Sequence, residues 1–129
     1  MNWKSMMLGI ICLWTMGACS GKVNADWFEE TLWKNDKNGC KNDRLELLDQ
    51  ILRLKDQLIG LDDKELRKVL GKPDRIDLMK RNQKFYVYFV EAGKQCAEGQ
   101  NKEAKKVLVR FSSLNLVNEI SIDYSIKEE

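Results

Sequence analysis

The sequence contains no histidine, so the commonest general base and metal ligand is missing from the start. It lacks a charge excess as well: 22 lysines and arginines stand against 20 aspartates and glutamates in 129 residues. A net charge of +2 is no electrostatic footprint for nucleic acid. The basic clusters Lys80–Arg81 with Lys84, and Lys102 with Lys105–Lys106, read as solvated loop lysines. No C-x-x-C pair, nucleophile elbow or phosphate-cradling glycine loop occurs. Acidic residues are numerous, but context singles out no pair of them. The chain is therefore read as a non-enzyme with no cofactor and no metal site.

What is present is organised around Gly60–Asp74, a short helix with both ends written into the sequence. Asp62 is a good N-cap, and Glu65 three residues on completes a capping box. Leu61 and Leu66 occupy the hydrophobic-staple positions. Leu66, Val69 and Leu70 form one apolar stripe. Gly71 suits the left-handed position after the helix, and Pro73, the single proline, forbids continuation.

The first residues read as an export signal spanning 1–18. Lys4 supplies the positive start, Met6–Met16 the apolar stretch, and Gly17 and Ala18 the small residues before a cut. The stretch falls well short of the roughly 20 apolar residues that span a bilayer, so a permanent transmembrane helix is not expected. The junction Met16-Gly17-Ala18-Cys19 resembles the lipobox of bacterial lipoproteins, with Met where that pattern prefers Leu. The resemblance implies cleavage before Cys19 and lipid on its thiol and on the new amino group. Two or three acyl chains anchor stably where one is marginal. Ser20 after the cysteine favours the outer membrane by analogy with enteric bacteria. The alternative is an ordinary secreted protein cut nearby, with Cys19 incidental.

Cys12 leaves with the signal, and Cys19 would carry lipid. Cys40 and Cys96 remain as an even pair in an oxidising compartment, where a disulfide is the natural reading. It would tie the segment before the long helix to the loop after the central strand. Closing a loop of this length is worth about 4 kcal/mol in the chain-entropy model. The alternative is a redox or metal pair.

Residues 19–25 are a small, polar tether, and residues 26–42 a short helix and turn. The D-x-x-E spacing of Asp26 and Glu29 predicts a helix over Asp26–Lys34. Its members Trp27, Phe28, Leu32 and Trp33 are either docked on the domain or a partner site. Residues 43–129 form the main domain. Asp43–Ile59 is predicted as one helix, its apolar residues spread over about half the circumference. After Pro73 the pattern changes to period two. Strands are predicted over Arg75–Lys80, Lys84–Glu91, Lys105–Ser112 and Leu116–Ile126. The second is central, with Phe85, Val87 and Phe89 on one face and Tyr86, Tyr88 and Val90 on the other. The Tyr face is taken as only partly covered, which makes Tyr86 and Tyr88 a candidate partner surface. The whole reads as an α+β domain, two helices on one face of a three- to four-stranded antiparallel meander, ααβββ.

This order, with Gly60-Leu61-Asp62, Glu65-Leu66 and Val69-Leu70-Gly71-Lys72-Pro73-Asp74, resembles the SmpA/OmlA (BamE-like) lipoprotein domain. That family shows G-M-[ST]-x-x-[EQ]-V-x-x-[LA]-[LF]-G-x-P, then an aromatic strand like Phe85-Tyr86-Val87-Tyr88. A strand like Val107-Leu108-Val109-Arg110-Phe111 follows. The resemblance covers about residues 43–126. It is also similar to the fold of β-lactamase-inhibitory proteins. It implies a lipid-anchored, non-enzymatic scaffold of the bacterial envelope, at the outer membrane and facing the periplasm, with a protein partner in outer-membrane protein assembly or envelope maintenance. A protein inhibitor or immunity-type factor that docks on a secreted or periplasmic enzyme is the alternative.

Overall fold

The computed structural model describes residues 23–97 and 101–124. The signal, the Cys19 lipobox and most of the tether lie outside the described residues, as does Ile126 of the last predicted strand. The described chain is α+β. Four α-helices are followed by a four-stranded antiparallel sheet. They are α1 (Glu30–Asn35), α2 (Asp43–Glu46), α3 (Leu48–Leu58) and α4 (Asp63–Leu70). The strands are β1 (Arg75–Met79), β2 (Gln83–Phe89), β3 (Lys106–Phe111) and β4 (Val117–Asp123), in the spatial order β1-β2-β3-β4. α1 is the short helix expected within residues 26–42; within residues 43–129 three helices precede the sheet where two were expected, because the predicted Asp43–Ile59 helix is split into α2 and α3.

α4 forms as its sequence dictates. Glu65 N–H donates to Asp62 Oδ1 at 2.8 Å, and Asp62 N–H donates to Glu65 Oε2 at 3.1 Å. Leu66 and Leu70 are fully buried beneath it. Gly71 takes φ +75°, which closes the helix with its N–H on Arg67 O.

The predicted helix Asp43–Ile59 is broken at Leu47, which has φ −88° and ψ 0°. The Leu47 N–H is shared between the carbonyls of Asp43 at 3.3 Å and Arg44 at 3.2 Å. Arg44 lies one turn before the break, its side chain drawn inward and 1% exposed, on the same buried face as Leu47, Ile51, Leu54 and Leu58. The D-x-x-E start at Asp43 is not used as a cap. Asn42 occupies that position with φ +61°, and its Oδ1 accepts from Ala92 N–H at 2.8 Å. The apolar arc of α3 is narrower than expected: Ile51, Leu54 and Leu58 are buried, while Leu52 and Ile59 are exposed.

The first helix also starts later than Asp26. Phe28 N–H closes a turn on Ala25 O, and α1 begins at Glu30. Hydrogen bonds to α3 dominate here. Gln50 Oε1 accepts from Glu29 N–H at 3.1 Å, and Gln57 Oε1 accepts from Asn24 N–H at 2.9 Å. Two glutamines on the polar side of α3 thus hold the incoming chain.

The sheet is turned over relative to the expectation. Tyr86, Tyr88 and Val90 face the helices, together with Val107, Val109, Phe111 and Ile120. Val87 and Phe89 point to the opposite face, where Ala104 from the segment after β2 and Leu108, the cross-strand partner of Val87 on β3, pack against them. Phe111 and Tyr86 pack edge to face at 4.6 Å between ring centroids. β4 is closed at its start by the chain between α3 and α4. Gly60 N–H donates to Val117 O, and Val117 N–H donates to Leu61 O, both at 2.8 Å.

Asp62→Ala removes the side-chain acceptor of the capping box, leaving the Glu65 N–H without its cap, at a helix whose two leucines enter the core. The expected loss is about 1 kcal/mol of stability, read as a lower urea midpoint with an unchanged slope.

Candidate functional site

Trp33 is fully buried, and its indole N–H donates to Leu70 O at 3.1 Å. Phe28 is buried against it, the ring centroids 6.3 Å apart. Tyr86 and Tyr88 are 1% and 0% exposed, so the expected Tyr partner surface does not exist as a surface. The physical reason is that each ring fills the helix–sheet interface while its hydroxyl finds a partner at the margin. Tyr88 donates to Gly71 O at 2.9 Å, and Tyr86 accepts from Arg67 Nη2 at 2.9 Å. Of the five aromatic candidates only Trp27 is exposed, and the Arg53 guanidinium lies 4.4 Å above its ring. The structure therefore brings Phe28, Trp33 and Tyr88 together as core and leaves Trp27 apart.

Cys40 and Cys96 are joined in a disulfide, with Cα atoms 5.8 Å apart. Beside it lies a buried polar cluster that sequence reasoning missed. Arg44 Nη1 donates to Asp74 Oδ2 at 2.6 Å and to Phe89 O at 3.0 Å, and its Nε donates to Trp33 O at 2.9 Å. Both side chains are nearly inaccessible, at 2% and 4%. Asp74 also accepts from Asn38 N–H at 3.0 Å and Phe89 N–H at 2.9 Å. Asp36, fully buried, accepts from Lys41 N–H at 2.9 Å and Arg44 N–H at 3.1 Å. The guanidinium stacks 4.9 Å from the Trp33 ring. Gly39 has φ +65°, and a Cβ there would stand 2.7 Å from the Phe89 backbone, so only glycine fits. Chemically this cluster consumes its own polar groups: each charge is spent on backbone or on its counter-ion. Thirty residues separate Arg44 from Asp74, and no local spacing rule announces such a pair.

Among the described residues no three Asp, Glu or Cys side chains gather as metal ligands. No described helix is long and apolar enough to cross a membrane. Trp27, Leu52, Ile59 and Tyr124 are exposed singly, and the most exposed apolar side chains lie on β1 and at the tips of the sheet. Ile76, Leu78 and Met79 of β1 are 46%, 78% and 56% exposed, and Leu114 in the β3–β4 turn is 78% exposed. A shallow depression between the two hairpin tips is lined by Leu78, Met79, Lys84, Phe111 and Asn115. Lys84 bridges the tips by donating to Asn115 Oδ1. Sequence reasoning found the strand but not this surface. The signal was available: the first strand of a meander is necessarily an edge. Comparison of the chain with family models, with curated proteins and with solved structures finds no match.

Arg44→Met leaves Asp74 buried without its cation, and the expected loss is about 3–5 kcal/mol. The double variant Arg44→Met/Asp74→Asn is expected to lose clearly less than the two single losses added together, as measured by urea unfolding with the disulfide intact.

Burial, then the nearby Tyr86, pushes the Tyr88 hydroxyl well above the ordinary tyrosine value of 10.0. Below that value both folded and unfolded chains keep the proton. Above it the unfolded chain ionises first, so folding stability falls as pH rises past 10.0. Tyr88→Phe should flatten this alkaline decline, measured as stability against pH.

Proposed function

We propose that this chain is an exported, lipid-anchored interaction module of the bacterial cell envelope, non-enzymatic and built on a BamE-like ααβββ plan. Its role on this reading is to scaffold outer-membrane protein assembly or envelope maintenance, tethered through Cys19 at the outer membrane and facing the periplasm. The observation that carries the reading is the Cys40–Cys96 disulfide. Such bonds persist outside the reducing cytosol, in agreement with the lipobox-like Met16-Gly17-Ala18-Cys19 and the signal before it. Two further features support it. The buried charges Arg44, Asp74 and Asp36 are fully engaged in holding backbone, which is a structural use rather than a catalytic one. The most exposed apolar side chains, Leu78, Met79 and Leu114, lie on one sheet edge and one turn, where a partner can reach them.

The inhibitor reading drew on a Tyr86/Tyr88 face and on the similarity to the fold of β-lactamase-inhibitory proteins. With both rings in the core the first motive is gone, and the scaffold reading is the one retained.

The test is an in-cell crosslink of the full chain, purification, and identification of what accompanies it, with the mass of the N-terminal peptide read in parallel. Diacylglycerol on Cys19 together with β-barrel assembly subunits is the expected result. An unmodified Cys19, or recovery of one secreted enzyme without those subunits, would sink the scaffold role.

A further inference from the structure

We propose that the outer edge of β1 receives an extended, acidic-ended strand of a partner protein, which joins the sheet as a fifth strand. This rests on the reading of the chain as an interaction module and names its surface.

β1 is the first strand of the order β1-β2-β3-β4, and among the described residues nothing pairs with its outer side. An unpaired edge presents backbone donors and acceptors at the spacing of a strand, so its natural complement is a strand. Proteins commonly blunt such an edge with charge or a covering segment. Here the one carboxylate at the centre of β1, Asp77, is turned to Arg75 at 2.8 Å. Its neighbours Ile76 and Leu78 share the helix-side face and remain exposed. The opposite edge is different. The start of β4 is bridged by the Asp62–Leu116 pairing, and the exposed residues within β4 are polar, Asn118, Glu119 and Ser121, with exposed Tyr124 just past its end. The contrast selects β1.

The partner's chemistry follows from what flanks the strand. Ile76 and Leu78 are two apart, so a strand laid alongside needs apolar side chains at alternate positions. Lys72 precedes β1, Lys80 and Arg81 follow it, and all three are exposed. Carboxylates at both ends of the incoming strand would meet them. A second copy of this chain is a poor fit. The antiparallel register that pairs Arg75 with Asp77 sets Lys72 against Lys80 at both ends, and the neighbouring registers set Asp77 against Asp77 or Arg75 against Arg81, so a second copy does not supply the carboxylates that the basic ends call for.

The experiment uses isotope-labelled full-length chain and two synthetic probes. Both are nine-residue peptides of alternating valine and threonine, one with glutamates at its ends and the other with lysines. The glutamate-ended probe is expected to shift the amides of Arg75–Met79 and to bind at least about tenfold tighter than the lysine-ended one. Leu78→Lys should weaken it by about tenfold or more, and Lys72→Glu/Lys80→Glu should invert the preference between probes. Ser121→Lys, on the other edge, should change nothing. Equal binding of the two probes, shifts confined to β4, or no shifts at all would overturn the proposal. Concentration-dependent shifts of β1 without any probe would overturn it in favour of a second copy. Because the peptide titration depends on neither export nor lipid, its failure is distinguishable from failure of the envelope reading. An envelope partner that crosslinks only through Trp27 would leave that reading standing and remove this one.

Discussion

The Arg44–Asp74 ion pair is the constraint on which the rest of the architecture hangs. Arg44 reaches three separate segments at once: the end of α1 through Trp33 O, the loop before β1 through Asp74, and the end of β2 through Phe89 O. Charges this deep are tolerated only when every donor and acceptor is satisfied, and here they are satisfied mostly by backbone. The consequences spread outward. Arg44 heads a buried stripe, continued by Leu47, Ile51, Leu54 and Leu58, that runs across the break between α2 and α3. Seating Asp74 fixes where β1 begins beside β2. The loop that wraps the pair needs Gly39 at positive φ against the Phe89 backbone. The disulfide then closes over the same end, tying Cys40 to the segment that follows β2.

That end of the domain is held by ionic, covalent and stacking contacts, while the other is held by apolar packing and strand pairing. The difference sets where deformation is cheap. At the clamped end, Trp33 is locked from above by Leu70 O and from the side by the Arg44 guanidinium, so the aromatic core has little freedom. At the tips, Leu78, Met79 and Leu114 touch little and project outward. A rigid base with accessible tips is a plausible geometry for holding a partner without rearrangement, because little ordering cost remains to be met on binding.

Much of the fold was legible in the sequence because the signals were local. The capping box at Asp62 and Glu65 needs only four residues, and Gly71 with Pro73 ends the helix within three more. The strands declared themselves by composition and alternation, and the β1–β2 and β3–β4 pairings by the shortness of their turns. What was missed depends on contacts distant in sequence. Nothing near Arg44 distinguishes it from a solvated helix arginine, since its partners lie at positions 33, 74 and 89. The orientation of β2 was illegible for a related reason. Both of its faces are apolar, so period-two patterning cannot choose between them. The choice falls to the hydroxyls: Tyr86 and Tyr88 can each fill the interface and still reach a hydrogen-bond partner at its rim, Arg67 and Gly71 O respectively. Phe85 and Phe89 have no such requirement and lie on the side away from the helices.

The same inversion redirects attention from the middle of the sheet to its edge. An aromatic strand of Tyr and Phe invites an interface reading because those side chains make strong anchors. Once both tyrosines are inside, the most exposed apolar side chains are aliphatic or thioether and sit on β1 and the β3–β4 turn, at Leu78, Met79 and Leu114. Aliphatic side chains on a free edge recognise by main-chain pairing supplemented by alternate pockets, not by a few deep aromatic anchors. Affinity at such a site is spread along the strand, and charges at its ends decide which strands are accepted. The buried cluster contributes to this indirectly, since Asp74 fixes the first residue of β1 and therefore the register in which Ile76 and Leu78 are presented.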